Sequence, residues 1–357
     1  MKKFSVGWGI VPDCNMRCSF CYSRHRRGAE DRLPYEALAA FVDENHDVIS
    51  AINYGTGENT LSPTWFRLIE HIRSCYPEIT QALTTNGYLS QSVKDPEHLA
   101  VFRHAVDEVD VSLDFADADR HNKSRGRDEA TAWALETLAL CQSVGKRATI
   151  VFLGCPQTLN PSNIEGLFAI AQRYDAILRM NIFRPTRGVQ GESIPFIASR
   201  EQITDALRYI AEHHKILAIN DAYFSPVLTG REAQDDSGTA SIRVLPDGTI
   251  TPSTYLISKN YAVDRITTPS VLHKQEVRQR LSEIVRHPVP EACHGCLHEN
   301  SCAGGVYDRR YLWHGTLAER DPYCDGKEDA AGERLPLSDD PFRSVHDGYL
   351  PTMFFKP

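Results

Sequence analysis

Three cysteines stand at spacings of four and three residues in Cys14-Asn15-Met16-Arg17-Cys18-Ser19-Phe20-Cys21, directly after an apolar run over residues 4–11. Thiolates so placed on one loop can converge on three corners of an iron–sulfur cube. A cube dressed wholly by protein needs four thiolates, so a three-cysteine loop leaves one iron for a ligand that is not protein. Zinc is the alternative occupant, although zinc sites are usually built from paired Cys-x2-Cys or Cys/His ligands. A second field comes late in the chain: Cys293-x2-Cys296-x5-Cys302, then Cys324 after 21 further residues. Four thiolates suffice to close either an iron–sulfur cluster or a tetrahedral zinc site.

Cys-x3-Cys-x2-Cys with Phe20 just before the last cysteine resembles the signature of radical S-adenosylmethionine (SAM) enzymes. The resemblance implies a [4Fe–4S] cluster on Cys14, Cys18 and Cys21 whose open iron chelates the amino and carboxylate groups of SAM. It also implies cleavage of the sulfonium by one electron, which yields a 5′-deoxyadenosyl radical able to take hydrogen from unactivated carbon.

The stretch Tyr54-Gly55-Thr56-Gly57-Glu58-Asn59 resembles the family's Gly-Gly-Glu stretch, with Thr56 in place of the first glycine. That likeness places Thr56, Gly57 and Glu58 at the SAM amino group, beside Phe20. Thr84-Thr85-Asn86-Gly87 is similar to a common family sequence and offers Asn86; a plain turn at the end of a strand reads the same way. Ser112-Leu113-Asp114, followed by His121-Asn122-x2-Arg125, looks like the pattern of the peptide-modifying branch, in which the Ser and Arg meet the ribose and carboxylate of SAM. A guanidinium suits a carboxylate because it can donate two parallel bonds.

Further along, alternation puts Arg179, Asn181 and Phe183 on one face of a strand. A polar pair there needs a partner such as SAM or substrate. Arg184 and Arg187 lie just beyond, where an anionic substrate group or ordinary surface charge accounts for them equally. Cys155 closes another strand in Gly154-Cys155-Pro156 and is a candidate hydrogen-atom donor, although a buried free cysteine is often just a small hydrophobe.

The second cysteine field resembles the SPASM extension of radical SAM enzymes, which normally carries seven cysteines and two auxiliary [4Fe–4S] clusters. Here Gly248-x4-Ser253 stands where a cysteine is expected, and Val306 stands four residues after Cys302 in place of another. Both losses belong to the same cluster of the family. The resemblance therefore implies one auxiliary cluster, on Cys293, Cys296, Cys302 and Cys324, and two clusters in all. A closed auxiliary cluster suits electron relay or bracing of a lid.

The elements that must position these residues alternate between β-rich and amphipathic runs, the pattern of a parallel sheet with crossover helices. Strands are expected over residues 5–11, 48–54, 79–85, 108–113, 148–153 and 177–183, and helices over 34–45, 63–75, 96–105, 130–144, 164–174 and 200–214. Ser62, Asp95 and Asn160 each precede a proline and read as helix caps. Six such units agree with an α/β fold of partial (β/α)6 barrel type, whose ligands gather at the carboxyl ends of the strands. Past residue 216 a hairpin over 241–245 and 249–255 and a helix near 274–286 are expected. The expected division is a radical SAM core over 1–215, a small SPASM-like iron–sulfur domain over 216–335, and a tail over 336–357 whose aromatics pack back onto the body.

With 357 residues, 41% hydrophobic and 24% charged, the chain has a globular composition, and its net charge of −8 gives no basic stripe for nucleic acid. Nothing reads as a membrane span or signal peptide, so a cytoplasmic enzyme is expected. Clustered cysteines then read as metal ligands. The expected partners are a small-molecule or peptide substrate and a one-electron donor such as flavodoxin or ferredoxin. The first strand begins near residue 5, which leaves no room for the N-terminal peptide-binding domain that many peptide-modifying relatives carry. The main expectation is therefore oxidation, epimerisation or carbon–carbon coupling of a small natural-product intermediate of sugar, aminoglycoside or nucleoside type. Modification of a ribosomal peptide or protein side chain is the alternative enzyme reading. A zinc-stabilised binding protein on a degenerate barrel is the alternative of another class.

Overall fold

Six runs rich in β-branched and aliphatic residues form neighbouring parallel strands: β1 (Phe4–Trp8), β2 (Ile49–Tyr54), β3 (Thr80–Thr85), β4 (Glu108–Ser112), β5 (Arg147–Gly154) and β6 (Ile177–Ile182). The computed structural model describes residues 2–24, 32–233, 236–286, 288–326, 334–348 and 351–357. Crossover helices Tyr35–Asp43, Pro63–Cys75, Pro96–Ala105, Ala130–Ser143 and Pro161–Arg173 connect the strands, and Arg200–His213 follows β6. With helices on the outer face, strand side chains such as Val6, Ile52, Leu83, Val109, Ile150 and Met180 are fully buried, as expected of parallel strands covered on one side and filled on the other.

Of the three helix caps expected before a proline, two form. Asp95 accepts from the backbone N–H groups of Glu97 and His98, and Asn160 from that of Asn163, each with proline next. Ser62 precedes Pro63 but makes no side-chain cap. Ser199 and Gln202 form a reciprocal capping box that the sequence reading did not single out.

The sheet does not stop where the core domain was expected to end. Its full order is β10-β9-β8-β1-β2-β3-β4-β5-β6-β11-β7, where β7 is Lys215–Ile219, β8 Ser241–Val244, β9 Thr249–Thr251, β10 Asp264–Arg265 and β11 Met353–Lys356. Strand β8 pairs parallel with β1, on the side away from β2. The tail strand β11 inserts antiparallel between β6 and β7, with Phe354 and Phe355 fully buried. Segments from all three expected divisions thus share one sheet, because the backbone edges of β1 and β6 are satisfied by later strands. Among the described residues the terminal strands β10 and β7 do not pair, so the barrel is partial and open. No helix of the described residues is long and apolar enough to cross a membrane.

Candidate active site

The carboxyl ends of the parallel strands open into one cavity of about 220 Å³. Cys14, Cys18 and Cys21, on the loop after β1, line it together with Phe20, Thr56, Gly57, Asn86, Ser112, Asp114, Arg125, Arg179 and Asn181. None of the ten cysteines is joined in a disulfide. Asn86 donates to Cys14 Sγ at 3.5 Å and to Asn15 Oδ1 at 2.8 Å, which ties the end of β3 to the cysteine loop. Cys18 is buried with its Sγ near the Arg125 carbonyl and guanidinium. Burial pushes this thiol up, against the pull of the Arg125 charge.

Gly57 lies at φ +65°, and a Cβ there would collide with the carbonyl oxygens of Val11 and Asp13, so only glycine lets this turn approach the loop. Thr56 lies at φ +78°, an outlier for a β-branched residue. Two partners hold it there: Thr56 Oγ1 bonds the Tyr22 hydroxyl at 2.8 Å and accepts from Arg243 Nη2, which also donates to the Gly55 carbonyl at 2.7 Å. A glycine could offer neither contact.

Several of the expected site residues are engaged with other side chains of the protein. Glu58, expected at the SAM amino group, does not line the cavity; its fully buried carboxylate accepts from Thr60 Oγ1 at 2.7 Å, Thr85 Oγ1 at 3.0 Å and Asn86 N at 2.7 Å. Burial pushes its carboxyl up and these bonds oppose the shift, so it braces the ends of β2 and β3. Arg125 is paired with Asp114 at 2.7 Å, and Asp114 Oδ1 also accepts from Leu153 N. His121 and Asn122 support the same loop from within: His121 Nδ1 accepts from Asp114 N, and Asn122 Oδ1 accepts from Thr131 N and Oγ1. Cys155 lies outside this cavity. It lines a neighbouring one of about 400 Å³ that shares Phe20, Asp114 and Leu153 with the first, and its Sγ lies 3.5 Å from Thr158 Oγ1.

Beneath the thiols runs a buried polar layer that the motifs did not reveal. Thr84 Oγ1 donates to Asn53 Oδ1 at 3.3 Å and to Asp110 Oδ2 at 3.2 Å. The same carboxylate oxygen pairs with Arg179 Nη1 at 2.9 Å and lies 3.0 Å from Nδ1 of His346, a tail residue that reaches the cavity. Burial alone would push Asp110 up, but the Arg179 guanidinium and the His346 ring hold its carboxyl well below the usual carboxylate range. The partner expected for Arg179 is therefore Asp110, whereas Asn181 Oδ1 is buried with no hydrogen-bond partner. Only the strand period could have signalled Asn53 and Asp110; nothing local marks Arg243 or His346, whose places depend on how β8 and the tail close the sheet.

The later thiols also gather. Cys293, Cys296, Cys302 and Cys324 line one small cavity with Tyr223, Gly304 and Arg320. Beside it, Arg309 is fully buried between two carboxylates, with Nη1 2.8 Å from Asp221 and Nη2 2.6 Å from Asp321. The two positions lacking an expected cysteine fall together: Tyr307 hydroxyl donates to the Pro252 carbonyl, and Ser253 Oγ donates to Asp308 Oδ2 at 2.8 Å. Asp308 Oδ1 in turn accepts from Arg184 Nε at 3.1 Å, so Arg184 is bound internally rather than at the surface.

The donor set is the one a [4Fe–4S] cluster takes: three cysteines of one loop line the cavity and the glycine turn admits close approach, while among the described residues no three of them stand close enough together to hold a single metal ion. Residues 8–171 match the family model described as the Radical SAM superfamily. Mycofactocin maturase MftC of Mycobacterium tuberculosis is 24% identical over 332 residues, covering 89% of this chain and 81% of the relative. Streptococcus suis SuiB bound to precursor peptide SuiA superposes with a TM-score of 0.71 at 13% identity, covering 91% of this chain and 76% of SuiB. The enzyme anSMEcpe with bound AdoMet superposes with a TM-score of 0.70 at 16% identity, covering 91% of each chain.

Proposed function

Because this chain belongs to the radical SAM superfamily, we propose that it is a SAM-cleaving enzyme that modifies a residue of a peptide. The observation that carries the chemistry is the convergence of Cys14, Cys18 and Cys21 on the cavity into which the ends of the parallel strands also point. In this reading Cys14, Cys18 and Cys21 would hold the cluster, and the cluster with SAM would supply the radical chemistry that takes hydrogen from a substrate carbon. The protein's own part is positional. Asn86 and the Thr56–Gly57 turn fix the loop, Phe20 and the Arg125–Asp114 pair shape the wall, and Asn181 offers an acceptor. A one-electron donor such as flavodoxin or ferredoxin is required. Cys293, Cys296, Cys302 and Cys324 are proposed to hold a second, fully ligated cluster, suited to electron relay or to bracing the Arg184–Asp308 contact above the cavity.

The choice of a peptide reverses the main expectation from sequence. A sugar or nucleoside substrate rested on what precedes the first strand. A relative named a maturase spans nearly the whole chain, and a solved structure of the same fold holds a precursor peptide; both favour the alternative. The experiment offers the anaerobically reconstituted, reduced enzyme and SAM to a library of synthetic, uniformly deuterated peptides. Deuterium appearing in 5′-deoxyadenosine, with a matching mass change in one peptide, is the expected result. No transfer from any peptide, together with transfer from a deuterated sugar or nucleoside, would overturn the peptide reading.

A further inference from the structure

We propose that Arg243, a buried guanidinium on the cavity floor with no carboxylate partner, receives a carboxylate of the peptide substrate. The inference rests on the peptide reading above and narrows it to a chemical class.

Four arginines line the cavity, and three carry their own counter-charge: Arg125 with Asp114, Arg179 with Asp110, and Arg184 with Asp308. Among the described residues no carboxylate pairs with Arg243. It is only 2% exposed, its Nη2 bonds neutral oxygens of Gly55 and Thr56, and its Nε has no hydrogen-bond partner. His346, nearby on the same floor, adds no charge at neutral pH, because burial and then Arg179 push it down to about 4 despite Asp110. Asp110 thus answers Arg179, and Arg243 is left without a carboxylate of its own on this floor.

An isolated buried ion is costly and is found paired. A single guanidinium is matched by a monoanion such as a carboxylate, whereas a phosphate ester carries about −1.5 to −2. A guanidinium edge also matches the carboxylate fork. Arg243 comes from a strand of its own at the edge of the core, and is assigned to substrate. β8 lies outside the matched 8–171 segment and joins the sheet beside β1, with Arg243 opposite Gly7.

The test uses reconstituted enzyme with SAM and three pools of N-acetylated tetrapeptides, read by mass spectrometry of peptide retained after ultrafiltration. The first pool has a free C-terminal acid and no acidic side chains. The second is amidated but contains Asp and Glu, and the third is amidated with Asn and Gln instead. Wild-type enzyme is expected to retain the first or second pool about 10-fold or more over the third, the scale of one charge-assisted hydrogen bond. Which of the two is retained identifies a terminal or a side-chain carboxylate. Arg243→Gln should bring that ratio close to one, and Arg243→Lys should keep part of it. The ratio is the readout, since Arg243 also holds Thr56 and absolute affinity will move with the loop. An unchanged ratio in Arg243→Gln, or weaker SAM binding with the ratio intact, overturns the proposal. Retention of none of the pools sinks the peptide reading instead. The carboxylate site is then decided with [1-¹³C]acetate: line broadening by wild type and not by Arg243→Gln upholds it, and equal broadening by both overturns it.

Discussion

Cys18→Ala is expected to abolish formation of 5′-deoxyadenosine and to lower iron from about eight to about four atoms per chain, since each cube holds four. Cys18 is the most enclosed of the three loop thiols, 6% exposed and packed with Met16, Ala130 and Trp133. Among the described residues no fourth thiol lines the same cavity to replace it. A Cys75→Ala control should keep both activity and iron, because Cys75 is exposed on a helix with its Sγ 3.8 Å from His71. Iron content and chromatographic detection of the nucleoside check both variants. Undiminished SAM cleavage by Cys18→Ala would remove the loop from the chemistry altogether.

Arg309→Leu is expected to destabilise the protein by about 3–5 kcal/mol, the cost of leaving buried carboxylates without their cation. Its guanidinium donates to Asp221 just past β7 and to Asp321, three residues before Cys324, and lies 4.7 Å from the Tyr323 ring centroid. Asp221 is fully buried. Burial alone would push its carboxyl up, but Arg309 holds it below the usual range. Arg309 thereby joins the barrel end, the helix Tyr307–His314 and the four-thiol cavity. Denaturant unfolding of the anaerobic holoprotein measures the loss, and iron should fall together with stability. Arg309→Lys should recover only part, since an ammonium cannot present the same fork to two carboxylates. A loss below about 1 kcal/mol for Arg309→Leu would show that the ion triad does not hold this region together.

The repeating units were legible because each combines a strong period with local punctuation. Pro63–Cys75 and Pro96–Ala105 match their expected bounds to the residue, and the six strands shift by a few residues at most. The short helix Ala118–Arg125 went unread because its sequence is almost wholly polar and its role is to carry His121 and Arg125. Strand β11 was missed because Met353–Lys356 is four residues in an aromatic tail, and its pairing partners lie far away in sequence. The same nonlocality hid the floor of the site. A motif announces residues that act together in sequence, such as Cys14, Cys18 and Cys21, whereas Arg243 and His346 meet Arg179 only through sheet closure. Glu58 shows the converse. Its motif position suggested an acceptor for the SAM amino group, and its hydrogen bonds to Thr60, Thr85 and Asn86 are invisible until the backbone is placed.

The most direct measurement is SAM turnover by the anaerobically reconstituted protein with dithionite and no added substrate. Methionine and 5′-deoxyadenosine are expected in equal amounts, dependent on both protein and reductant and absent when Cys14, Cys18 and Cys21 are all alanine. Intact SAM in the presence of protein carrying a spectroscopically verified, reduced [4Fe–4S] cluster would contradict the assignment of this loop to radical chemistry.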